Sequence, residues 1–105
     1  DELEANRATY AHNRRLMLEG LPRAGFARIA PPDGAFYIYA DVSDLTQDSL
    51  TFCAELLAGA GVAATPGLDF DPVRGHTTLR FSYARATADI VEGLRRLQDY
   101  MAQRR

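Results

Sequence analysis

Residues 77–84 read Thr-Thr-Leu-Arg-Phe-Ser-Tyr-Ala, and from Thr78 onward polar and apolar positions take turns. Successive side chains of an extended chain point to opposite faces, so Leu79, Phe81 and Tyr83 share one side of a strand. Thr78, Arg80 and Ser82 share the other. The apolar side is expected to cover a core. Arg80 stands in the middle of the opposite side, where a planar guanidinium presents a fork of donors shaped for a carboxylate or a phosphate. An ordinary surface arginine on a half-exposed strand shows the same pattern.

The N-terminal stretch has the other period. Residues 1–20 contain no Gly or Pro before Gly20 and are rich in good helix formers. Leu3, Tyr10, Met17 and Leu21 give this helix an apolar face, with Asn6, Arg7, Asn13 and Arg14 assigned to the others. No clear cap opens it, as expected of a segment cut from a longer helix. Gly20-Leu21-Pro22 is a stop signal. His12 reads as a solvated helix residue.

Residues 26–30 alternate and predict a strand, Pro31-Pro32-Asp33-Gly34 predicts a tight turn, and residues 35–42 predict a central strand that closes a hairpin. Most aromatics of that strand are expected in the core. Asp48 or Ser49 can cap a helix running to about Ala58, with Phe52, Cys53, Leu56 and Leu57 inward. Gly59 and Gly61 suit its left-handed end. Cys53 reads as a buried packing thiol. Residues 62–65 predict a short strand stopped by Pro66-Gly67. The loop 67–76 is long, and such loops often carry function. Its Asp69 and Asp71 lack a third ligand and calcium-loop spacing, so no metal is assigned. His76 reads as a strand-edge residue. A last helix begins within residues 85–89, with Thr87 as cap and Asp89 in the first turn. Ile90, Leu94, Leu97 and Met101 recur at helical spacing, and arginines fill the second half.

The predicted fold class is therefore α+β: two layers, with a mainly antiparallel sheet of about four strands and helices packed on it, in the order α-β-β-α-β-β-α. A chain of 105 residues is expected to be a single domain, 1–105. With 47% hydrophobic and 25% charged residues it has the composition of a soluble globular domain. The net charge, 12 − 14 = −2, lacks the basic excess of a nucleic-acid module. No apolar run approaches the roughly 20 residues of a membrane span. One cysteine makes no internal disulfide, and no signal peptide is visible, which together suit a cytoplasmic location. All 12 basic residues are arginine, so lysine amine chemistry is closed to this chain by itself.

Four segments, taken in order, resemble the small C-terminal domain of a class I/II, fold-type I, pyridoxal-phosphate aminotransferase. They are Arg14-Arg15-Leu16 with Leu18 and the exit from Leu21 to Phe26; Pro32-Asp33-Gly34-Ala35-Phe36-Tyr37; Gly61-Val62-Ala63-Ala64-Thr65-Pro66-Gly67 with Phe70; and Leu79-Arg80-Phe81-Ser82-Tyr83-Ala84. Each alone is weak; the set spans nearly the whole chain. One departure is Asp71, where the family usually has glycine.

The resemblance implies a specific assignment of roles. Arg80 matches the arginine that binds the substrate α-carboxylate, and Gly34 and Phe36 would border the pocket. Residues 1–20 would be the end of an interdomain helix. The Schiff-base lysine, the aspartate facing the pyridine nitrogen and most phosphate contacts would lie in a large domain. This chain would then hold no catalytic and no cofactor-binding residue, and alone would not transaminate. Pyridoxal 5'-phosphate, amino acid and 2-oxo acid substrates, the large domain and a second copy of the intact chain are the implied partners. A lyase, decarboxylase or synthase of the same fold would use an arginine similarly. A free-standing regulatory or interaction module would leave Arg80 structural.

Overall fold

The structure is a computed structural model that describes residues 2–29, 36–69 and 73–104. Its elements run α1 (Glu2–Ala24), β1 (Arg28–Ile29), β2 (Tyr37–Asp41), α2 (Ser49–Ala60), β3 (Thr65–Pro66), β4 (Thr78–Ser82) and α3 (Thr87–Arg104). The predicted α+β order holds. The four strands form one sheet in the order β1-β2-β4-β3, with every pairing antiparallel.

The helix α1 passes through the expected stop and ends only at Ala24. A proline inside a helix removes one backbone bond and clashes with the preceding turn. Burial holds the last turn in place nonetheless, because Leu21 and Ala24 are both fully inside the core. The chain leaves at Gly25, whose φ of 111° only glycine adopts readily. Gly20 has a different role from the one its sequence suggests. A Cβ there would lie 2.8 Å from Leu94 Cδ1, so the missing side chain lets α1 and α3 pack closely.

In α2 the cap is Asp48, which accepts hydrogen bonds from the Thr51 backbone N–H at 3.2 Å and the Thr51 hydroxyl at 2.8 Å. Gly61 ends the helix at φ 68°. Gly59 remains helical, facing Tyr100. Leu57, expected inside, is 58% exposed, since Phe52, Cys53, Leu56 and Ala60 already fill the stripe that meets the core. The third strand pairs at Thr65–Pro66 rather than over residues 62–65. Proline is tolerated because β3 is an edge strand. His76 lies in a short 3-10 turn, Gly75–Thr77, that leads into β4. The turn at residues 31–34 lies outside the described residues.

The helices cover one face of the sheet. On that face Ile38, Ala40, Leu79 and Phe81 are buried, and the rings of Phe26 and Phe81 meet edge to face at 5.4 Å between centroids. Phe52, Leu56, Leu97 and Met101 complete the core from α2 and α3. Cys53 is buried among them, as expected. His12 is exposed.

Candidate functional site

Arg80 sits at the centre of the sheet. Its strand is bonded on both sides, with Tyr39 of β2 and Thr65 of β3 opposite it in the register. Such a residue has its backbone fixed from two directions. The alternation of β2 and β4 puts Tyr37, Tyr39, Thr78, Arg80 and Ser82 on the face away from the helices, all of them half-buried. The Arg80 guanidinium lies over the Tyr37 ring, with Cζ 4.0 Å from its centroid. Stacking of this kind attracts a cation to the electron-rich ring face.

Both ends of β4 are tied down by buried polar side chains. At its C-terminal end Asn13 of α1, fully buried, donates through Nδ2 to the carbonyls of Tyr83 at 3.1 Å and Arg85 at 2.6 Å. It accepts from the Thr87 hydroxyl at 2.7 Å. Thr87 was expected to cap α3; its hydroxyl instead turns to Asn13, and the carbonyl of Ala86 accepts from Asp89 and Ile90 at the helix start. At the N-terminal end the buried Ser49 hydroxyl donates to the Gly75 carbonyl, and the Thr78 hydroxyl donates to the Arg74 carbonyl at 2.8 Å.

Phe36 lies just before β2, where its carbonyl accepts from the Tyr83 N–H at 3.0 Å. Its ring is half-exposed and meets Tyr10 at 5.3 Å and Tyr83 at 6.0 Å. Those contacts put it toward α1, so Phe36 and Arg80 do not share a face. Gly34 lies outside the described residues, as do Phe70 and Asp71. A cleft of about 360 Å³ opens elsewhere, between Met17, Val62, Phe81, Ile90 and Arg96. Arg80 and Phe36 are not among its walls, so its size alone does not mark it as the site. Among the described residues no three His, Cys, Asp or Glu side chains come together as a metal site would need, and no helix is long and apolar enough to cross a membrane.

Three contributors escape a sequence reading. Most aromatics of residues 35–42 are expected in the core, yet Tyr37 and Tyr39 face away from it. The period of two does put them opposite Ile38 and Ala40, but their nearness to Arg80 follows only from the strand register. Asn13 was assigned to a polar face. It falls four residues before Met17, on the apolar stripe itself, and that spacing was the available signal.

With this geometry in view, similarity to known proteins becomes informative. Residues 1–97 match the family described as aminotransferase class I and II. The chain belongs to that aminotransferase family. A valine–pyruvate aminotransferase from Mycobacterium tuberculosis is 55% identical over 100 residues, which cover 95% of this chain and 26% of the relative. The crystal structure of an aminotransferase from the same organism superposes with a TM-score of 0.91 at 54% identity, covering 97% of this chain and 26% of that one. A presumptive aminotransferase from Silicibacter pomeroyi superposes at 0.94 with 72% identity, over 99% of this chain and 28% of its own. The chain thus spans about a quarter of the length of these relatives.

Proposed function

We propose that residues 1–105 form the small C-terminal domain of a pyridoxal-phosphate-dependent aminotransferase and grip the substrate by its α-carboxylate through Arg80. The intact enzyme moves an amino group between an amino acid and a 2-oxo acid. The observation that carries this reading is the placement of Arg80: mid-sheet, on the face away from the core, held by two neighbouring strands and stacked on an aromatic ring. A guanidinium so held can make two parallel charge-assisted bonds to a carboxylate and fix its orientation. Orientation matters because the bond broken at Cα must stand perpendicular to the cofactor ring. Lysine lacks the fork.

The family's cofactor is pyridoxal phosphate, which supplies the electron sink for amino transfer when bound. This chain's residues do not fit its attachment, since it has no lysine amine to offer. Its part is confined to the substrate: binding, orienting and, by closing against the large domain, excluding water. On this reading α1 is the end of the interdomain helix, Gly34 borders the pocket, Phe36 reaches its rim from the start of β2 and not from the Arg80 face, and the intact enzyme is a cytoplasmic homodimer. Valine and pyruvate, the pair in the name of the Mycobacterium relative, are the first substrates to try.

The test is Arg80→Ala in the intact enzyme. It is expected to lower kcat/KM by roughly 2–5 kcal/mol in transition-state stabilisation, the range for truncating one partner of a buried charged pair. A variant that turns over amino acids at the parent rate would remove Arg80 from the site.

A further inference from the structure

We infer that Tyr37 is a positioning residue for Arg80, acting through its ring and not its hydroxyl; this rests on the reading of Arg80 as the carboxylate-binding group. Tyr37 faces Ser82 across the β2–β4 ladder, whereas the residue opposite Arg80 is Tyr39. Tyr37 is therefore the diagonal neighbour of Arg80 on the same face, within reach of a long side chain. To bring Cζ within 4.0 Å of the ring centroid, the arginine must lean along the sheet toward Ser82. Its head group is thereby directed to the end of the face where β2 begins. An arginine without that platform has many rotamers to choose from, and a bidentate contact needs one of them.

The chemistry of the two contacts is compatible. The face of the ring receives the guanidinium carbon, 4.0 Å from the ring centroid. The N–H donors point outward in the guanidinium plane, where a carboxylate meets them edge-on. Ring and substrate use different parts of one group, so Tyr37 can hold Arg80 in place without competing for the ligand. The tyrosine is half-buried on β2, and its ring contact with Arg80 is what the assignment rests on.

The experiment is a double-mutant cycle in the intact enzyme, read as kcat/KM for an amino-acid substrate. Tyr37→Leu is expected to lower it about three- to thirty-fold, the span of a partly desolvated cation–π contact. Most of the loss should fall on KM. Tyr37→Phe keeps the ring and should stay within about twofold of the parent. In an Arg80→Ala background Tyr37→Leu should change little more. Should Tyr37→Leu not fold, Tyr37→Thr, a good strand former without a ring, carries the same comparison. Three results overturn the inference while leaving Arg80 in the site: Tyr37→Leu at parent activity beside a damaged Arg80→Ala, an undiminished Tyr37→Leu loss in the Arg80→Ala background, or Tyr37→Phe as poor as Tyr37→Leu. An undamaged Arg80→Ala overturns the carboxylate reading itself, and this inference with it.

Discussion

The two faces of one sheet teach different lessons. Toward the helices, Ile38, Ala40, Leu79 and Phe81 are 0–2% exposed and interlock with Phe26, Phe52 and Leu97. Toward the other side, Tyr37, Tyr39, Arg80 and Ser82 are only half-buried. The same two strands build both. Adjacent residues of β4 thus belong to separate problems: Phe81 to the stability of the domain and, under the proposed function, Arg80 to the recognition of a ligand. A period of two lets the five consecutive positions of β4 serve both without compromise.

The largest effect expected from this division is on the covered side. Phe81→Ala should destabilise the domain by about 3–5 kcal/mol, as emptying a large buried aromatic site does. Denaturant unfolding beside that of Arg80→Ala is the direct comparison: the arginine variant should lose catalysis with a much smaller change in midpoint. Equal destabilisation by both would erase the distinction between the faces. Next comes Asn13→Ala, which strips hydrogen bonds from the buried Tyr83 carbonyl and the partly buried Arg85 carbonyl. It should cost about 1–3 kcal/mol of stability, seen in the same unfolding curves. A neutral result would mean that water replaces the amide there.

Two smaller effects refine the boundary of the covered side. Leu57 projects outward from α2, so Leu57→Gln should shift stability by no more than about 0.5 kcal/mol. A larger loss would restore Leu57 to the core. The smallest expected effect is on acid stability. The Thr51 hydroxyl, followed by the Thr51 backbone N–H, holds the Asp48 carboxyl below its ordinary value of 3.8. A carboxylate with a depressed folded-state value stabilises the fold fully above that ordinary value, and the contribution is lost as pH falls from there through the lower folded-state value. Thermal unfolding midpoints of the parent and Asp48→Asn should therefore differ at neutral pH and converge below about pH 3.8. A constant gap across that range would mean that the charge has no part in the cap.

Much of the fold could be read from local periodicity, because periodicity reports which face of an element is covered. The stripe Ile90, Leu94, Leu97, Met101 and the alternation in β4 are both found as read. The failures share one cause, which is that distant contacts override local signals. Gly20 and Pro22 look like a helix end, yet the burial of Leu21 and Ala24 carries α1 past them. Leu57 is as apolar as Leu56, and only the direction of the core separates them. The site divides in the same way. Arg80 announced itself as a polar interruption in a strand. Its neighbours Tyr37 and Thr65 depend on which strands pair and in what register, and no single segment carries that information.

The outer strand β3 has a consequence beyond the site. It is two residues long, and one of them is Pro66, which has no N–H. A foreign segment seeking to extend the sheet on that side finds almost no ladder to join. Arg80 is one strand in from this blunt border, so its surroundings are protected against unwanted sheet growth and the aggregates that follow from it.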